Sequence, residues 1–292
     1  MSAAMNAEKA SKARKAARAT VPSHITGFFV AKRRDNPALS GSTGCGLTLS
    51  LDALTTVEAA EETEILLNGQ TSEAPVSRYV VEKLVMSPVR VCTQLGMPIG
   101  SGFGASGAGA LGCAYALNAL FNLGLTANGA AAIAHAADVV NRTGLGDVIG
   151  QNTGGLVMRL EPGAPGVGRV DRIPVPALKV DYVVRGPIST REVLSDEATL
   201  KAINTAGEAA LKDLLKRPTL QEFMRLSRRF TIEAGLASEW ALDAIESVEA
   251  AGGWASMIML GDAVFSFGGA AALKEFGEVH TTAISQRGAC LD

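Results

Sequence analysis

From Pro22 onward, short stretches of alternating or continuous apolar residues are interspersed with longer ones in which apolar residues recur every three or four positions. Ile25–Ala31 reads as a short strand, Gly41–Glu58 as a strand region broken by glycine, and Ile65–Leu67 as a further short strand. Ser77–Val85 reads as a helix, and Val89–Leu95 alternates as a half-buried strand does. Ser106–Asn122 is so rich in Ala and Leu that it predicts a buried helix. Asn128–Asn141 predicts another, with Asn128 as its N-cap and Gly144 just beyond its end. Gly154–Leu160 returns as a strand, and the Pro/Gly cluster Pro162–Gly168 marks a turn or a junction between domains. Strands follow near Val170 and at Lys179–Val184, then helices at Glu197–Lys216, Leu220–Ala234 and Glu239–Ala250. Thr219 with Glu222 makes a capping-box pair, and Ser238 caps the third of these helices. Strands Ser256–Met259 and Ala263–Phe267 flank Gly261-Asp262, and a last helix-plus-strand unit ends the pattern. The elements keep no strict strand–helix–strand beat, so the expected class is α+β. No internal repeat is visible.

Composition narrows the function classes. The chain has 292 residues, 47% hydrophobic and 19% charged, with a formal net charge of −2. That suits a folded protein with a sizeable core and excludes disorder for most of its length. The near-neutral balance, with only 9 Phe, 3 Tyr and 2 Trp, argues against a nucleic-acid-binding surface. The longest apolar stretches are interrupted by Gly, Asn, Asp or Ser, which argues against a membrane span. Cys45, Cys92, Cys113 and Cys290 lie far apart with no Cys-x-x-Cys pair, as in a reducing cytoplasm, where such residues serve as small apolar groups. The first twenty residues carry Lys9, Lys12, Arg14, Lys15 and Arg18 against Glu8 alone. They lack the apolar face of a transit peptide and the apolar core of a secretory signal, so a basic flexible tail over 1–20 is expected.

Glycine is the compositional excess, 32 residues in all. It is densest in Gly96-Met-Pro-Ile-Gly-Ser-Gly-Phe-Gly-Ala-Ser-Gly-Ala-Gly109, between a predicted strand and a predicted helix. Glycine lets successive backbone N–H groups turn inward around an anion, and a helix N-terminus adds unpaired donors. The alternative is that small residues merely let the helix pack closely on a sheet. No Gly-Lys-Ser/Thr ends the segment, which excludes a Walker A loop. Gly102-x-Gly104-x-x-Gly107 has dinucleotide spacing, but residues 125–130 offer no acid to hold a ribose, so that reading fails.

Pro98-Ile-Gly-Ser-Gly-Phe-Gly-Ala-Ser-Gly-Ala108 resembles the Pro-x-x-x-Gly-Leu-Gly-Ser-Ser-Ala-Ala motif of the GHMP-type small-molecule kinases, departing from it at Phe103, Ala105 and Gly107. Within that superfamily the chain looks most like the archaeal pantoate kinases. The resembling segments are Pro22–Phe28, Ser101–Ala110, Thr143–Val148, Gly186–Thr190 and Ser256–Gly261. The resemblance implies a two-domain α+β GHMP kinase fold, with a ribosomal-protein-S5-like N-terminal domain over 21–165 and a ferredoxin-like C-terminal domain over 166–292. It implies ATP-dependent phosphorylation of pantoate, a step toward coenzyme A, with Mg²⁺ as cofactor and a homodimer as the assembly. Rival expectations are a homoserine- or mevalonate-type kinase of the same superfamily and a non-catalytic nucleotide-sensing homologue. The usual third glycine-rich segment is poorly matched by Gly252-Gly253 and Gly261–Gly269, so adenine binding is not read from here.

His135 and Asp138 lie three apart and share a helix face; from spacing alone they read as a satisfied core histidine and a solvated acid. Asp147 sits among Gly and apolar residues, where a carboxylate is costly unless it meets a metal, a hydroxyl or a cation. Phosphoryl transfer needs a metal against the phosphates and a group that orients or deprotonates the attacking hydroxyl. The resemblance assigns Asp147 to that hydroxyl. It assigns Ser106 and Asp138 to Mg²⁺–ATP, although the family usually has Glu where this chain has Asp138. It gives ATP binding to Pro98, Gly100, Ser101, Gly102, Phe103, Gly104, Ala105, Ser106 and Gly107. Arg159 matches the family's substrate-binding arginine, whose planar fork suits a carboxylate; alone it would read as a surface residue at a strand end. His135 and Thr190 also occupy substrate-binding positions in the resemblance, and His24 and Ser42 are expected to line the same pocket. His280 is expected to be structural.

Overall fold

A computed structural model describes residues 15–193 and 195–292. The elements run β1 (Ala16–Lys32), β2 (Gly41–Ala59), β3 (Glu64–Leu67), β4 (Gln70–Thr71), α1 (Pro75–Leu84), β5 (Val89–Leu95), α2 (Ala105–Phe121), α3 (Ala127–Asn141), α4 (Asp147–Thr153), β6 (Leu156–Glu161) and β7 (Arg169–Ile173). They continue with β8 (Lys179–Pro187), α5 (Thr190–Val193), α6 (Glu197–Leu214), α7 (Leu220–Glu233), α8 (Glu239–Ala250), β9 (Trp254–Met257), β10 (Gly261–Phe267), α9 (Ala270–Leu273), β11 (His280–Ala283) and β12 (Cys290–Leu291). Helices and strands are mixed over two sheets, as the α+β expectation requires.

The larger sheet has the order β12-β1-β2-β5-β3-β4, with β6 paired to β2 and β7 to β6. Its spine is the long antiparallel hairpin β1–β2, which is irregular at Pro22/Ser23 and at Thr26/Phe28. The smaller sheet, β11-β8-β10-β9, is antiparallel throughout. Helix α2 is buried from Gly107 to Leu117 with no polar stripe, so it fills the core beneath β1 and β2 instead of covering it. Five phenylalanines join the two sheets: Phe28 and Phe29 of β1 meet Phe223 and Phe230 of α7, and Phe223 meets Phe265 of β10, with ring centroids 5.9–6.5 Å apart.

Several expectations need correction. The basic tail over 1–20 falls mainly on residues 1–14, outside the described residues, but Ala16–Thr20 belong to β1. Ala17 and Ala19 turn inward and Arg18 outward, a two-residue period that is too short and too alanine-rich to stand out in sequence. The strand expected at 25–31 is therefore the second half of a 17-residue strand. The N-cap of α3 is Thr126, whose hydroxyl accepts from Gly129 N at 3.1 Å, and not Asn128. Its C-cap is Arg142 in the left-handed conformation, two residues before Gly144. The strand expected at 256–259 is β9, two residues earlier. Thr219 and Ser238 do cap α7 and α8. Helix α4 was not expected at all. The sheets also do not divide after residue 165, because β7 and β12 pair back into the larger one.

Candidate active site

The glycine segment between β5 and α2 forms the floor of a cleft of about 370 Å³, walled by the turn after α3, by residues 188–190 and by Met259-Leu260. Gly100, Gly102 and Gly104 all have left-handed backbones, with φ of 75°, 83° and 68°. This alternate placement turns successive N–H groups toward one side, and the N-terminus of α2 begins at the last of them. The loop is anchored on several sides. Ile188 N donates to Gly100 O at 3.2 Å and His24 N to Phe103 O at 3.1 Å. Gln151 Nε2 of α4 donates to Gly104 O at 2.8 Å. Phe103 is buried, and its ring packs on Tyr182 of β8, 5.1 Å between ring centroids.

Two carboxylates meet beside this floor. Asp138, on α3, is buried; its Oδ1 accepts from Ser106 Oγ at 2.9 Å and from Thr143 Oγ1 at 2.5 Å. Burial pushes its carboxyl up to about 7; the Asp147 charge adds to the rise and the two hydroxyl bonds oppose it. Asp147, the first residue of α4, is about a quarter exposed and faces the cleft. Gly144 passes between the two acids. A Cβ there would lie 2.4 Å from Asp138 Oδ2 and 3.1 Å from Asp147 Oδ2, so no other residue fits without displacing one of them. Among the described residues no group of three or more His, Cys, Asp or Glu side chains is arranged to hold a metal ion by itself. Asp138 with the Ser106 hydroxyl is nevertheless an oxygen pair with a buried charge and no cation beside it. That donor set suits a hard cation that takes its remaining ligands from phosphates and water.

Arg159, inside β6, is 1% exposed and has no carboxylate within ion-pair distance among the described residues. Its Nη1 donates to His24 Nε2 and its Nη2 to Thr26 Oγ1, both at 3.3 Å, while its Nε has no partner. Burial lowers its proton affinity and the Asp147 charge raises it, but a guanidinium stays charged in either case. A cation placed this way at the cleft wall is prepared for an anionic ligand. On its other side, His24 Nδ1 lies 2.8 Å from Asp147 Oδ1.

Of the residues singled out from sequence, Gly100, Gly102, Phe103, Gly104, Ala105, Ser106, Asp147, Arg159, Ser42 and Thr190 line the cleft. Pro98, Ser101 and Gly107 do not. Ser101 is buried with Gly261 packed on its carbonyl, and Gly107 lies against Gln151 and Asp138, so these two shape the loop from behind. His24 is fully buried and reaches the cleft only through Asp147 and Arg159, contrary to the expectation that it lines the pocket. His135 is also behind the wall, its Nε2 2.8 Å from Ser40 O; burial lowers its proton affinity against that bond and one to Pro37. Arg159 lies within a strand and not at a surface end, because β6 is paired with β2 on one edge and β7 on the other, and the Arg159 side chain meets His24 and Thr26 of β1. His280 stacks on Tyr182, with ring centroids 5.3 Å apart, and does not line the cleft. Sequence reasoning missed Gln151, Thr26, Arg142 and Leu260. Thr26 and Leu260 stood within quoted segments, but Gln151 and Arg142 carried no spacing signal.

Comparison with known proteins gives a consistent picture. Residues 70–155 match the GHMP kinases N-terminal domain. The pantoate kinase of Thermococcus kodakarensis is 41% identical over 264 residues, covering 85% of this chain and 86% of that protein. The pantoate kinase of Methanospirillum hungatei is 34% identical over 279 residues, covering 91% and 93%. A solved phosphotransferase related to the CoA biosynthesis pathway superposes with a TM-score of 0.85 at 33% identity, over 95% of this chain and 98% of that one.

Proposed function

This chain belongs to the pantoate kinase family of the GHMP kinases, and on that premise we propose that it transfers the γ-phosphoryl group of ATP to the 4-hydroxyl of pantoate. The observation that carries the reading is the buried Arg159 guanidinium, free of any carboxylate partner, in the same cleft wall as Asp147 and above the glycine loop. Pantoate is a small carboxylate with a hydroxyl at its far end. Its carboxylate pairs with Arg159 and Ser42, and its two methyl groups lie against the apolar wall of Phe29, Leu145 and Met259. Its hydroxyl then faces Asp147.

The phosphates rest on the N–H groups of the Gly100–Ser106 loop and the N-terminus of α2. Mg²⁺, held by Ser106 Oγ and Asp138, would offset phosphate charge during transfer. Asp147 accepts the hydroxyl proton as the oxygen attacks the γ-phosphorus; the bond from that phosphorus to the bridging oxygen breaks and ADP leaves. Thr190, at the opposite lip, helps enclose the substrate. The structural support for these roles is proximity within one cleft. A homodimer and a place in coenzyme A synthesis belong to the same proposal, the former tested by sedimentation.

ADP release measured with pantoate, homoserine and mevalonate in parallel tests the reading. Turnover with pantoate exceeding the other two by at least about 10²-fold is expected: all three carry a carboxylate for Arg159, but homoserine brings an ammonium group beside the guanidinium, and mevalonate places its terminal hydroxyl one carbon farther along, past Asp147. ATP binding with no pantoate-dependent turnover would overturn it.

A further inference from the structure

His24 has more contacts to the site than any role in lining a pocket explains. Its backbone N–H donates to Phe103 O of the phosphate loop, its Nδ1 meets Asp147 and its Nε2 meets Arg159. The imidazole is completely buried. Two glycines close over the ring: a Cβ at Gly46 would lie 2.6 Å from Nε2, and one at Gly150 2.6 Å from Cδ2. The ring therefore has no room to turn.

The protonation of the ring follows from its neighbours. A guanidinium only donates, so the nitrogen facing Arg159 must be the acceptor. In a neutral imidazole the hydrogen is then on Nδ1, which donates it to the Asp147 carboxylate. Burial, and to a smaller degree the Arg159 charge, keep the ring neutral, against the pull of Asp147. The guanidinium, imidazole and carboxylate thus form a directed chain, Arg159 to His24 to Asp147, tied to the loop by a backbone bond.

We propose that His24 is the positioning residue of this site: it aims the Asp147 carboxylate at the substrate hydroxyl and fixes Arg159 at the distance that pantoate spans. The inference rests on the proposed role of Asp147 in taking the hydroxyl proton. One Asp147 oxygen is occupied by the His24 N–H, which leaves the other for that proton. His24 itself touches neither substrate nor nucleotide.

Two substitutions separate positioning from packing. His24→Asn keeps an amide N–H near the Nδ1 place, but its shorter side chain puts no acceptor at the Nε2 position that faces Arg159. His24→Leu removes both. For His24→Asn the expected result is a kcat within about five-fold of the unsubstituted enzyme and a pantoate KM raised about ten-fold, from the loosened guanidinium. For His24→Leu the expected result is a kcat lower by about 10²-fold, with the ATP dissociation constant unchanged. Equal kcat losses in both variants, or a normal kcat in His24→Leu, would overturn the proposal.

Histidine-selective ¹⁵N NMR of the intact protein tests it without any substitution, since the chain has only 3 histidines. The expected signature is one ring held as the neutral Nδ1–H tautomer at pH 7, which is the minor tautomer of free histidine. An Nε2–H or doubly protonated His24 would overturn it even if His24→Leu does not fold. The reading of Asp147 is tested apart from this by Asp147→Asn. Normal turnover in that variant removes Asp147 from the chemistry, whereas the His24 outcomes are read with Asp147 intact.

Discussion

Asp138 and Asp147 are nine residues apart in sequence and flank the same glycine, yet their surroundings push them toward opposite uses. Asp138 is buried with two hydroxyl donors and no cation, and its carboxyl rises to about 7. Asp147 is about a quarter exposed, starts a helix, accepts from an imidazole N–H and lies near a guanidinium. The first is held by hydroxyl donors alone, and the second has its charge supported by an imidazole and a guanidinium. On the proposed function, identical side chains would thus take a metal-holding and a proton-accepting role through environment, which is how paired carboxylates commonly divide their work.

The largest effect expected is from Asp147→Asn, which should lower kcat by about 10³-fold or more while calorimetry shows unchanged ATP affinity. A loss of ATP affinity with normal kcat would reverse the two assignments. Asp138→Asn should lower kcat by about 10²-fold and abolish the magnesium-dependent rise in Tm expected with ATP in the unsubstituted protein.

The same variant has a pH signature. The Asp138 carboxyl moves from the ordinary 3.8 up to about 7 on folding, so between those values the folded protein holds more protons than the unfolded one. Metal-free stability should therefore fall as pH climbs through that window in the unsubstituted protein. The fall should be smaller in Asp138→Asn, which should be the more stable of the two at pH 8 in EDTA. His24 works in the opposite direction, since its lowered proton affinity costs stability as pH drops below about 6.5. It is present in both proteins, so the difference between them isolates Asp138.

Arg159→Ala should raise the pantoate KM by roughly 50-fold with the ATP KM unchanged, the effect of removing one partner of a buried charge pair. Loss confined to ATP would place the nucleotide on the Arg159 side. The smallest effect expected is that of Ser42→Ala, about five-fold in pantoate KM, as for one neutral hydrogen bond.

The glycine loop was legible because its backbone demands a local pattern. Left-handed backbones at Gly100, Gly102 and Gly104 require glycine, and a strand before and a helix after complete the signal. The capping residues Thr219 and Ser238 were legible for the same reason, each acting within one turn of chain. His135 and Asp138 share a helix face as their spacing required, but spacing could not show that the histidine turns to Ser40 O and the acid to Ser106. Helix α4 escaped because seven residues with two glycines nearby carry too little periodicity. Arg159 looked like a surface residue because its main neighbours come from β1 and β2, over a hundred residues earlier in the chain.

The sequence by itself determined the α+β class, the glycine-rich loop between strand and helix, most helices and the family to which the chain belongs, since each is written in contiguous residues or in motifs read one at a time. Tertiary structure alone decided which acid meets which partner. His24 and Asp147 are 123 positions apart and His24 and Arg159 135. Burial, proton affinity and tautomer depend on everything within a few ångströms, and no local pattern encodes a neighbour that the chain supplies a hundred residues later.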